Sequence, residues 1–132
     1  MIKPKIISVI VCENLMKSAD GRISLLDILR KHKPESMPAT FNTLYVYLHL
    51  GFGDGRMNLG MRIIDPTGEV HYTMPEPYEM YFDNPADFNE IAITLPSMTF
   101  KHVGTYILEF LVNDELLSAD YHFEIIKYTS PV

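Results

Sequence analysis

The sequence predicts an all-β domain, a β-sandwich of two antiparallel sheets with about eight or nine strands. Three observations predict it. Apolar residues recur with a period of two through most segments. Turn residues interrupt those segments at short intervals. No stretch carries a capped helical period; Leu25 to Lys33 comes nearest and fits a strand equally well.

The first segment, "KPKIISVIVCENL", has the basic start and apolar middle of an export signal. Its selective position argues otherwise, because Val11 rather than a small residue precedes Cys12 and Glu13 follows. Ile6, Ile7, Val9, Ile10 and Val11 are β-branched, which suits a strand buried on both faces. Asp20-Gly21 is a tight-turn dipeptide, and a second strand runs from Arg22 to Leu29. "KHKPESMPAT" holds two prolines and reads as a crossing loop.

"FNTLYVYLHL" alternates cleanly. Leu44, Val46, Leu48 and Leu50 form a core face opposite Thr43, Tyr45, Tyr47 and His49. "GFGDG" reads as a hairpin turn, since it lacks the lysine and following helix of a phosphate loop. Met57, Leu59, Met61 and Ile63 then alternate up to "DPTGE", a type I turn closed by Gly68, and Val70, Tyr72 and Met74 return. The Pro-rich, acidic stretch from Pro75 to Asn89 accommodates a strand at Tyr78 to Phe82. Ile91, Ile93 and Leu95 follow in phase. A final hairpin sets Tyr106, Leu108, Phe110 and Val112 against Leu117, Ala119, Tyr121, Phe123 and Ile125 across a turn at Asn113-Asp114.

At 132 residues the chain is read as a single domain, residues 1–132. Its net charge of −6, with Lys and Arg scattered, argues against nucleic-acid phosphates as partners. The longest apolar runs are about seven residues against the roughly 18 to 20 of a spanning helix, so no membrane role is expected. One cysteine forms no internal disulfide, which points to a cytoplasmic protein, and Cys12 reads as a small buried hydrophobe.

The order of an apolar strand ending in Cys12, then "DGRISLLDI", a Pro-containing loop, "IIDPTGEV" and the closing "GTYILEFLVNDELLSADYHFEI" resembles a family of small bacterial domains of unknown function with immunoglobulin-like sandwiches. The resemblance implies that fold and carries no catalytic residues across.

No nucleophile elbow or zinc-ligand spacing is present, so no enzymatic activity and no cofactor are expected. His49 and His122 lie on polar strand faces near Asp120 and Glu124, where pairing across a sheet would assemble a metal site. The turn aspartates Asp54, Asp65, Asp83 and Asp87 supply the hard oxygens of a calcium-type site if they converge. Against this alternative of a small-ligand or divalent-metal domain stands an interaction surface of Tyr45, Tyr47, Tyr78, Tyr81 and Phe82, suited to a protein partner or to homo-oligomerisation. The leading expectation is a non-catalytic module acting through protein contact.

Overall fold

A computed structural model describes residues 2–127. It is all-β, with twelve strands: β1 (Lys5–Lys17), β2 (Ile23–Ile28), β3 (Lys31–His32), β4 (Ala39–Phe41), β5 (Leu44–Gly51), β6 (Gly55–Ile64), β7 (Val70–Thr73), β8 (Tyr78–Phe82), β9 (Phe88–Leu95), β10 (Met98–Phe100), β11 (Gly104–Val112) and β12 (Glu115–Ile125). Among the described residues there is no helix, and so none long and apolar enough to cross a membrane. A four-stranded sheet runs β2-β1-β5-β9, and a larger one runs β3-β12-β11-β6-β7 with β8 also on β6. A ribbon of β4 and β10 forms a third, small sheet. Pairing is antiparallel except between β3 and β12.

The two larger sheets bury one contiguous apolar cluster. Leu44, Val46, Leu48 and Leu50 of β5 are fully buried, as are Leu59 and Ile63 of β6 and Tyr106 and Phe110 of β11. Alternation is the cause: in a strand every second side chain points to the same side, so one face fills the shared core while the other meets solvent. Rings fill the β11–β12 end, with Tyr106 stacked parallel on Phe123 at 5.3 Å and edge-on to Phe100 at 4.8 Å.

Twelve strands rather than eight or nine result because brief pairings escape periodicity. The supposed loop from Lys31 to Thr40 holds β3, two residues long, and most of β4, three residues long; each exists because a partner strand lies beside it. β1 is not buried on both faces. Only Val11 and Cys12 are buried along it, Ile6 and Val9 are partly buried against the core, and Ile7 is 45% exposed.

The glycine-rich connection is also different from the expectation. β5 and β6 belong to different sheets, so residues 51–55 cross between layers instead of closing a hairpin. A Cβ on Gly51 would lie 2.5 Å from the Phe88 ring, and one on Gly53 would lie 2.6 Å from the Phe82 ring. These glycines serve close approach to aromatic side chains. The other turns form as expected: Gly68 adopts φ of 90° with its N–H donating to Asp65 O at 3.0 Å, and Asn113 and Asp114 both take positive φ, as a two-residue hairpin requires.

Truncation of the core separates the two strand faces. Leu48→Ala is expected to cost about 2–5 kcal/mol, and Thr94→Ala, on the solvent face of β9, less than about 0.5 kcal/mol. Urea unfolding monitored by far-ultraviolet dichroism checks both, and similar losses for the two would contradict the assigned faces.

Candidate functional site

The residues singled out from sequence are distributed over the molecule. Tyr45 and Tyr47 stand half-buried on the outer side of β5, in the four-stranded sheet. Tyr78 and Tyr81 are exposed, at 48% and 57%, on β8 in the other sheet. The four therefore form no single patch. Phe82 is 1% exposed and belongs to the core, so it presents no interaction surface; it shares its face of β8 with buried Met80.

The aspartates lie in three connections: Asp54 between β5 and β6, Asp65 between β6 and β7, and Asp83 with Asp87 between β8 and β9. Asp65 accepts hydrogen bonds from the Thr67 N–H at 2.8 Å, the Thr67 hydroxyl at 2.6 Å and the Glu69 N–H at 3.1 Å, which fixes the β6–β7 turn. The Thr67 hydroxyl bond holds its carboxyl below the ordinary range. Asp87 accepts from the Asn84 N–H at 3.2 Å within the β8–β9 connection, and Asp54 lies in the crossing between β5 and β6. Among the described residues, no group of three His, Cys, Asp or Glu side chains is placed to hold a metal ion. His49 and His122 fall in different sheets: His49 packs on Phe88 at 5.2 Å, and His122 lies opposite Ile107.

Three places carry more chemistry. The first is the outer face of the four-stranded sheet. Register sets Ser8, Ile10 and Cys12 of β1 beside His49, Tyr47 and Tyr45 of β5, with Glu90, Ala92 and Thr94 of β9 beyond. The Tyr47 hydroxyl donates to Glu90 Oε2 at 2.5 Å, and burial together with that carboxylate pushes the phenol up to about 12. Cys12 is fully buried, yet lies outside the cluster joining the sheets. Burial pushes its thiol up, so it is a poor nucleophile.

The second is a hollow of about 350 Å³ lined by Val70 and the polar side chains of Asp65, Glu69, His71, Thr99, Lys101 and His102. His71 stacks on Phe100 at 4.9 Å and meets Tyr106 edge-on. The Tyr106 hydroxyl donates to the His102 carbonyl at 2.8 Å, tying the start of β11 to the segment before it. Sequence reasoning missed this arrangement, although a tyrosine two residues after Gly104 at a strand start was its visible sign.

The third is the seam between β1 and β12. β2 accompanies β1 only from Cys12 onward, and β3 accompanies β12 only at Glu124 and Ile125, so among the described residues both strands have unpaired edges where they line common cavities. Two cavities, of about 240 and 300 Å³, follow this seam and share Tyr121.

Fold and site define a small all-β domain whose features lie on strand faces, edges and one strand-end cluster. The chain belongs to the Family of unknown function (DUF6941), whose sequence profile matches residues 7–125. No curated protein matches it.

The environment of His71 sets a pH dependence. Burial lowers its pKa from 6.5, with His102 and Lys101 acting the same way and Asp65 opposing. The folded state therefore favours the neutral ring. Its contribution is complete above about pH 7 and is lost as pH falls through the unfolded value toward the lower folded one. Urea unfolding at about pH 8 and about pH 5 is expected to show a larger drop in stability for the natural protein than for His71→Phe. Equal drops would contradict a depressed His71.

Proposed function

We propose that this chain is an immunoglobulin-like sandwich that works without catalysis, by protein contact through the outer face of the β2-β1-β5-β9 sheet, with a second copy of itself as partner. The order β1-β5-β9 against β12-β11-β6 supports the immunoglobulin-like assignment, because it matches the A-B-E and G-F-C strands of that fold. The Tyr106 hydroxyl on the backbone just before β11 supports it too, as the equivalent of a tyrosine corner.

The observation that carries the functional reading is a difference between the two outer faces. The larger sheet bears the ion pairs Arg62–Glu109, Arg56–Glu79 and Lys31–Glu124 on its outer side. The outer side of the four-stranded sheet has none among the described residues. Glu90 there accepts the Tyr47 hydroxyl and Asp27 accepts from the Asn14 amide, while Met16, Leu26 and Phe88 are 60%, 46% and 52% exposed. Exposed apolar side chains rather than hydrated ion pairs give this face the area that a contact between two copies would bury. A twofold contact also lets one patch serve both partners.

Sedimentation velocity across a concentration series tests the reading. The mass is expected to rise from 15.2 kDa toward twice that value. Leu26→Glu and Tyr45→Glu are each expected to weaken association by about tenfold or more, and Tyr81→Glu, on the other sheet, to leave it unchanged. A constant monomer mass up to about 1 mM would remove self-association.

A further inference from the structure

We infer that the seam between β1 and β12 is a slot for an extended peptide of another protein, which adds as a strand to the free edge of β12 and ends in acidic residues beside Arg30. This goes beyond self-association and uses a different surface.

The slot is built from backbone as well as side chains. β12 bonds to β11 along its length, but on its other edge, among the described residues, only β3 reaches it, through the Glu124 N–H to Arg30 O at 2.7 Å and the Ile126 N–H to His32 O at 2.8 Å. Alternation then turns the N–H and C=O of His122 toward the same open edge. Across the gap, β1 from Lys5 to Ile10 has no partner among the described residues on the side that β2 occupies further along. Residues 28–32 already cross from one edge to the other, the Leu29 N–H reaching Val11 O at 2.7 Å before Arg30 meets β12. They close the lower end of the opening and leave the rest.

Apolar side chains line what remains. Ile6, Val9, Leu117 and Tyr121 are partly buried against the core at this seam, and Leu108 is at its base. A strand laid here hides alternate side chains between the sheets while its backbone pairs with β12, which is how strand addition combines affinity with selectivity. The six residues of β1 that face the slot match a peptide strand of about 20 Å.

Charge selects the occupant and its direction. Arg30 lines the lower part of the slot, and Lys5 with Asp120 the upper part, in a protein with 11 cations against 17 carboxylates overall. Lys3 pairs with Glu115 at the upper end, at 3.2 Å. Among the described residues Arg30 has no ion pair, and His122 sits beside it on the rim. A strand continuing the parallel geometry of β3 runs with its carboxyl end toward Arg30. An acidic C-terminal half is therefore placed next to the free guanidinium, and its amino end next to Asp120 and Glu115.

Fluorescence anisotropy with three synthetic probes tests this. The first alternates valine and threonine and ends in two glutamates; the second ends in two lysines; the third repeats the first with alternate backbone amides N-methylated. Saturable binding is expected for the first, about tenfold weaker binding for the second, and none for the third. Arg30→Glu, a change at an exposed side chain, is expected to reverse the order of the first two. Amide shifts on adding the first probe are expected along β12 from Glu115 to Phe123, and not at Tyr45, Tyr47 or Leu26. No binding below about 1 mM, indifference to N-methylation, equal affinity for both charge types, or shifts confined to the outer face of the four-stranded sheet would each overturn it. Because a monomer in sedimentation leaves these readouts intact, failure of self-association and failure of the slot are separate results.

Discussion

Burial of alternate residues from two sheets into one apolar cluster is the constraint on which the rest depends. β5, β6 and β11 occupy interior positions in their sheets and contribute the fully buried Leu48, Leu59 and Phe110. Each such side chain removed from water contributes on the order of 1.5–3 kcal/mol. A one-residue slip in any of these strands would exchange its apolar and polar faces. The register of the central strands is thus set by the core, which leaves two outer faces and their edges outside it.

The core leaves its two outer faces unequal. On the larger sheet, cross-strand charges sit opposite one another, as Glu109 and Arg62 do, and keep that side hydrated. On the four-stranded sheet the same positions hold tyrosines, Ile10, Ala92 and Leu26. The seam has a related origin. β2 leaves β1 at Cys12 because the chain must cross to become β3, and that departure strips both β1 and β12 of partners over the remainder of the opening. One crossing therefore closes part of the gap between the two sheets and leaves the rest open beside it.

Much of this was legible in the sequence wherever alternation is long. Leu44 to Leu50 and Tyr106 to Val112 each repeat several times, and their buried faces follow from period two alone. The positive φ at Asn113-Asp114 and Gly68 follows from turn chemistry. β3 and β4 were not legible, since two or three residues carry no period. Gly51 and Gly53 misled because a glycine needed for close approach to a ring looks the same as one needed for a hairpin. Phe82 was assigned to the surface although Met80, in phase with it, marked an inward face. Nothing local marks a seam: it depends on where β2 ends relative to β3, a property of pairing between distant segments.

The account rests most directly on the two sheets sharing a single core, and native-state amide exchange measures that. Amides of Val46 to Leu48 in one sheet and of Tyr106 to Phe110 in the other are predicted to open with a common free energy equal to that of global unfolding. Two distinct opening energies, with one sheet exchanging while the other stays protected, would contradict a shared core.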